Sequence, residues 1–152
     1  MLSVGDKAPS FTLKNQNDED ISLSDFQGSK LLVWFFPKAS TGGCTKEGCG
    51  IRDNFKKFQK NNINVVGVSK DSVKAQSNFS TKNNFPYDLL SDTELGMIKA
   101  YKAWGKKKMY GKEYEGIIRI SYLINEKGII EKVYPKVNTS THGEDVLESI
   151  KE

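Results

Sequence analysis

Cys44 and Cys49 are the only two cysteines in this chain, and both fall in the stretch FPKASTGGCTKEGCG, residues 36–50. The first follows a threonine and two glycines and sits where a buried strand hands over to a helix. A thiol in the first turn of a helix faces unpaired backbone N–H groups and the positive end of the helix dipole. Both favour the thiolate, the nucleophilic form of cysteine. Gly42 and Gly43 let the backbone come close to a small substrate. Thr41 and Thr45 add hydroxyls that can cap the helix or bond to sulfur.

Cys49 poses a geometric question. Five helical residues advance ~7.5 Å and turn ~500°, which leaves the two side chains ~140° apart. Their Cα atoms would be roughly 8–9 Å apart, beyond the ~7 Å reach of a disulfide. If the thiols pair, the first turns of the helix must unwind. Gly48 and Gly50 flank Cys49, and each weakens the helix by about 1 kcal/mol relative to alanine. Read from residue types and spacing alone, the pair is either a reactive couple or two unrelated buried thiols. A zinc site needs more ligands than this pair and the single His142 supply.

The elements around the stretch follow from pattern. FTLKNQNDEDISL predicts two short strands about a polar turn, Asn15 to Asp20. LLVWFF, residues 31–36, has the length and composition of a strand buried on both faces, and Pro37 stops it. A helix is predicted from Cys44 to the asparagines at 61 and 62, with Cys44, Ile51, Phe55 and Phe58 on its apolar side. INVVGVSKD is a second buried strand. SVKAQSNFSTKN is a helix behind an Asp71 or Ser72 cap, and FPYDLLSD is a short strand. TELGMIKAYKAW predicts a third helix capped by Asp92 or Thr93. A hairpin is expected from Gly116 to Pro135, turning at Glu126-Lys127-Gly128. TSTHGEDVLESIKE closes the chain as an amphipathic helix. Strands alternating with helices, then a terminal hairpin, predict an α/β fold. It is thioredoxin-like in outline, with a mixed central sheet flanked by helices and an N-terminal β extension.

Composition narrows the function classes. At 152 residues one domain, 1–152, is expected. The formal charge is only +4, from 23 basic and 19 acidic residues that are scattered along the chain, so no nucleic-acid partner is expected. No apolar run approaches the ~20 residues needed to span a bilayer. MLSVGDKAP lacks a signal-peptide pattern, so a cytoplasmic protein with no membrane partner is expected. In that compartment two cysteines point to catalytic, redox or metal-binding use rather than a structural crosslink. His142, among TST and GED, reads as a surface or capping residue. Glu47 reads as a local partner for Arg52 or Lys46. The lysines at 106–108 read as a solvated run.

FFPKASTGGCTKEGCGIRDNF resembles the active-site segment of the peroxiredoxins. A second cysteine five residues after the first matches the bacterioferritin comigratory protein, or peroxiredoxin Q, branch. VGDKAPSFTL, LSDFQGSKLLVWFFPKA, VVGVSKDS, WGKKKMYGKEYEGIIRISYLINEKGII and NTSTHGEDVL resemble the same branch in the same order. The family pattern of proline, three residues, threonine, two residues and cysteine is met by Pro37, Thr41 and Cys44, and the family's distant arginine falls on Arg119. Gly42 stands where this branch usually has proline, which predicts a looser loop.

The resemblance implies a thiol peroxidase. Cys44 would attack a hydroperoxide and become a sulfenic acid. Arg119, the Cys44 backbone N–H and the Thr41 hydroxyl would be donors to the peroxide oxygens, and Pro37 would shield the sulfur. Cys49 would resolve the sulfenic acid as an intramolecular disulfide, which thioredoxin or a similar dithiol reductant would reduce. The resemblance implies a monomer and no metal or organic cofactor. The competing readings are a thioredoxin-like protein disulfide oxidoreductase and a non-enzymatic redox sensor. Disulfide exchange of the first kind usually goes with C-x-x-C, whose thiols pair without unwinding a helix.

Overall fold

The computed structural model describes residues 1–151. The apolar run at 31–36 becomes β3 (Lys30–Phe35), which lies between β4 (Ile63–Ser69) on one side and β8 (Ile120–Ile124) on the other. β3 runs parallel to β4 and antiparallel to β8. Its side chains alternate into two separate cores, with Leu31, Val33 and Phe35 in one and Leu32, Trp34 and Phe36 in the other. A strand packed on both faces has no polar position, which is why this segment reads as unbroken hydrophobicity.

Around this centre the seven-stranded sheet has the order β2-β1-β5-β4-β3-β8-β9. β5 (Asp88–Ser91) pairs parallel to β4, and β9 (Ile130–Tyr134) forms the far edge against β8. The N-terminal extension is the ribbon β1 (Thr12–Lys14) and β2 (Asp20–Ser22), joined antiparallel to β5 through Lys14 and Ser91. The sheet is therefore mixed, as expected. Ile51, Phe58, Phe79 and Val146 cover one face; they come from α1 (Gly42–Asp53), α2 (Phe55–Lys60), α3 (Val73–Asn83) and α5 (His142–Ser149). The other face packs Met97 and Ile98 of α4 (Gly96–Ala100) together with Tyr101 and Phe11. Ser72 caps α3, accepting from the Ala75 N–H at 3.2 Å.

Several boundaries differ from expectation. The helix predicted from Cys44 onwards begins two residues earlier and breaks at Asn54. There the backbone N–H donates to Ile51 O, and the side-chain amide donates to Gly50 O at 2.8 Å and to Glu144 Oε1 at 3.2 Å. A side chain competing for main-chain carbonyls ends the regular ladder. The helix predicted over 93–104 shrinks to α4 because Leu95 and Lys102 take left-handed backbone angles. Asp92 does serve its start, accepting from the Ile98 N–H at 2.7 Å.

The segment Trp104–Ile117 forms a hairpin of its own, β6 (Trp104–Met109) and β7 (Lys112–Ile117), absent from the sequence reading. It takes Gly116 and Ile117 away from the predicted terminal hairpin, so β8 starts only at Ile120. Glu152, the last residue of the predicted final helix, lies outside the described residues. Among the described residues no helix is long and apolar enough to cross a membrane.

Candidate active site

α1 starts at the C-terminal end of β3, where open α/β sheets build their sites. Thr41 is its N-cap residue in extended conformation, and Cys44 is its third residue. The Cys44 side chain is fully buried in the core that also holds Trp34 and Phe36. Arg119 reaches it from the link between β7 and β8, with Nη2 donating to Sγ at 3.4 Å. The same guanidinium donates through Nη1 to Glu47 Oε1 at 2.6 Å. One turn of α1 thus presents a thiol and a carboxylate to one arginine, since residues three apart share a helix face. Gly43 permits this approach: a Cβ there would lie 3.2 Å from Arg119 Nη2.

The other predicted site residues are placed as follows. The Thr41 hydroxyl donates to the Lys38 carbonyl at 2.8 Å and makes no capping bond. The Thr45 hydroxyl donates to Thr41 O at 2.7 Å. Both hydroxyls are held by main chain rather than by the sulfur. Pro37 is partly exposed in the segment after β3. The loop is tied down behind it, because Asp71 accepts from the Ala39 N–H and from the Ser69 hydroxyl. Cys49 is half-buried on another side of α1, its thiol 3.6 Å from Asn83 Oδ1. Both thiols are free, and the intact helix keeps them in separate surroundings. Gly42 opens α1 with no atom within 4 Å of a Cβ placed on it.

Two residues overturn the sequence reading. Glu47 is fully buried and pairs with Arg119, not with Arg52 or Lys46; Arg52 instead bridges to Asp53. Burial pushes the Glu47 carboxyl up to about 7, against the pull of Arg119. His142 is buried rather than on the surface, and its Nε2 lies 2.8 Å from Ser121 Oγ and 3.9 Å from Glu47 Oε2. Burial, aided by Arg119, lowers it to about 4 against Asp145, so the ring is neutral near pH 7 and makes no ion pair with Glu47. Arg119 is raised: burial opposes its charge, but Cys44 and Glu47 outweigh that.

Neither Glu47 nor His142 was legible as a site residue, because charged residues in amphipathic helices ordinarily face solvent. A weak signal existed in the three-residue spacing of Cys44 and Glu47. Among the described residues no three His, Cys, Asp or Glu side chains gather to hold a metal ion.

A buried thiol one helical turn from a carboxylate, with an arginine bridging them, is not the apolar setting of an inert structural cysteine. Residues 4–133 match the AhpC/TSA family. The chain belongs to that family. It is 43% identical to peroxiredoxin Bcp of Escherichia coli K12 over 151 residues, covering 99% of this chain and 97% of that protein. It is 44% identical to a putative peroxiredoxin bcp of Coxiella burnetii over 146 residues, covering 96% and 97%. A crystal structure of a cysteine-to-serine mutant of Xylella fastidiosa PrxQ superposes with a TM-score of 0.93 at 30% identity, covering 99% and 96%. The bacterioferritin comigratory protein of Xanthomonas campestris, described for alkyl peroxide reduction, superposes with a TM-score of 0.87 at 33% identity, covering 93% and 90%. The fold is the thioredoxin-like fold of the peroxiredoxins, and the protein is a peroxidase of that family.

Proposed function

We propose that this peroxiredoxin reduces hydrogen peroxide and organic hydroperoxides with Cys44 as the attacking thiol and Cys49 as the resolving one. The observation that carries the assignment is the 3.4 Å contact from Arg119 Nη2 to Cys44 Sγ at the N-terminus of α1. The thiolate attacks the terminal oxygen of ROOH; the O–O bond breaks, an S–O bond forms, and RO⁻ leaves to take up a proton as ROH. Arg119 and the Cys44 N–H stabilise the charge growing on oxygen. Thr41 joins them when its hydroxyl exchanges the Lys38 carbonyl for the peroxide, and Pro37 shields the sulfur.

Turns of α1 then unwind, and the Cys49 thiolate displaces water from the sulfenic acid to give the disulfide. A thioredoxin-type dithiol reduces it by two exchanges, itself becoming oxidised. The wide separation of the thiols in intact α1 favours this sequence over direct disulfide exchange with protein substrates. The organic hydroperoxide substrate is supported by the alkyl peroxide reduction described for the Xanthomonas protein. We assign the protein to the cytoplasm as a monomer.

The test is stopped-flow mixing of reduced protein with hydrogen peroxide, with free cysteine at the same pH as reference. Trp34 is the internal reporter, since it stacks on Phe36 at 4.6 Å within the core that contains Cys44. A rate thousands-fold above free cysteine, absent in Cys44→Ser, is expected. A rate near that of free cysteine would overturn the assignment.

A further inference from the structure

The mechanism above uses one face of the arginine and leaves the buried polar groups behind it unexplained. Glu47 spends Oε1 on Arg119, while its Oε2 is buried with no hydrogen-bond partner among the described residues. Such an orphaned carboxylate oxygen is costly unless something polar faces it. What faces it is His142, the only histidine of the chain, with Nε2 3.9 Å away. We infer that His142 is a positioning residue for peroxide reduction: its ring fixes the Glu47 carboxylate that aims Arg119 at Cys44. This rests on the peroxidase assignment.

The ring is held from several sides. Ser121 Oγ contacts Nε2 at 2.8 Å, and the Tyr134 ring meets it edge-on at 5.7 Å between centroids. The start of α5 is pinned to α1, because a Cβ on Gly143 would lie 2.7 Å from Gly50 O, and Glu144 Oε1 accepts from the Asn54 amide. α5 therefore cannot slide along α1, and the ring keeps its height opposite Glu47. The ring is taken as the Nε2–H tautomer, donating to Ser121 Oγ, because that form sets a hydrogen rather than a lone pair beside the unpartnered Glu47 Oε2. The positive end of its N–H dipole then lies beside Glu47 Oε2. That favours ionised over neutral Glu47 without placing a second cation in the core. Ionised Glu47 makes a charge-assisted bond to Arg119, the stronger and more directional kind. A purely space-filling residue here would leave Glu47 Oε2 with no polar group facing it.

The charged and titratable groups around Glu47 decide how this is read out. Arg119 opposes burial and favours ionisation, while Cys44 and Cys49 share its helix. Tyr87, before β5, is buried, and its hydroxyl donates to Gly48 O. Lys107, on β6, donates to Ile117 O two residues before Arg119. Asp145, on α5, acts on His142. His142 stays neutral above pH 5, so a change it causes between pH 6 and 8 comes through Glu47, whose carboxyl titrates at about 7.

The experiment is a double-mutant cycle read as a pH profile. The second-order rate with hydrogen peroxide is followed from pH 5.5 to 8.5 for the wild type, His142→Phe, His142→Gln, Glu47→Gln and the Phe/Gln double variant. Removing that dipole should move the Glu47 limb up; a shift of ~0.7 pH unit reads as a ~5-fold lower rate at the acid end that fades to under ~2-fold at the alkaline end. His142→Gln, whose amide can stand in for Nε2–H, should restore most of the rate. In the Glu47→Gln background His142→Phe should change nothing further. Should His142→Phe fail to fold, His142→Asn, whose amide stops short of Glu47, enters the same cycle. An equal loss in both backgrounds, or a loss independent of pH, overturns the inference. A wild-type rate as slow as free cysteine would instead count against the peroxidase assignment itself.

Discussion

Gly50→Ala should slow the resolving step about fivefold and leave the attack on peroxide untouched. Gly50 lies within α1, and among the described residues nothing beyond its own stretch of helix stands within 4 Å of a Cβ placed there, so the methyl group adds no clash. Alanine stabilises a helix interior by about 1 kcal/mol relative to glycine. If the turn containing Gly50 belongs to the segment that unwinds, opening costs that much more. The open population then falls about fivefold, since 1.4 kcal/mol is tenfold. Cys44, Arg119 and Glu47 keep their contacts, so the first phase of the Trp34 fluorescence trace should be unchanged and only the second slower. Longer-lived sulfenic acid should also raise the yield of sulfinic acid at high peroxide, visible by mass.

Gly48→Ala is the matched contrast. It has the same helix preference, but its Cβ would meet Phe85 Cζ at 2.6 Å and Trp34 Cη2 at 3.1 Å. Overpacking of this kind costs ~1–3 kcal/mol, which cancels or exceeds the helical gain, so no slowing is expected. An unchanged second phase in Gly50→Ala, alongside a raised melting temperature, would refute the claim that unwinding extends through residue 50.

Two further substitutions probe the rest of the site. Arg119→Met removes the donor at 3.4 Å from the sulfur and should cut the peroxide rate ~10²–10³-fold, the usual loss for one transition-state donor; a loss under threefold would remove the arginine from the mechanism. Gly143→Ala would press a Cβ to 2.7 Å from Gly50 O and 3.1 Å from Asn54 Nδ2. At ~2 kcal/mol of overpacking it should lower the melting temperature by roughly 4–8 °C, and an unchanged melt would mean that α5 is not clamped on α1.

What the sequence disclosed and what it hid divide along physical lines. LLVWFF announced β3 because a strand buried on two faces must be apolar throughout. Cys44 announced its place because the helix start is local to Thr41, Gly42 and Gly43. The hairpin β6–β7 was hidden because its strands carry lysines, glycines and glutamate rather than alternating apolar residues. Its turn, with Tyr110 and Gly111 both at positive φ, lies just past the lysines at 106–108, which read as solvated. The Asn54 amide that breaks the helix at Gly50 O is also held by Glu144, ninety residues away. Glu47, Arg119, Ser121 and His142 come from three parts of the chain, and each is polar in a segment where polarity normally means exposure. Only the assembled fold turns them into one buried group. Arg119 was recovered through family resemblance, which carries long-range information that residue patterns lack.

In the proposed mechanism, the position of Glu47 within α1 links the two chemical steps. It lies between Cys44 and Cys49, in the segment that must open for the thiols to meet. Opening withdraws the carboxylate from Arg119, so the motion that joins the thiols also takes apart the peroxide site. Attack and resolution cannot use the same conformation of α1, and their order follows from that exclusion. The ion pair does not lock the helix against this, because burying a carboxylate offsets much of what its arginine contributes. Released into water, Glu47 regains hydration and its ordinary affinity for protons. A helix held by a pair of small net strength, and weakened by glycines at 48 and 50, stays folded while Cys44 is reduced yet remains able to open once the sulfur has taken up oxygen.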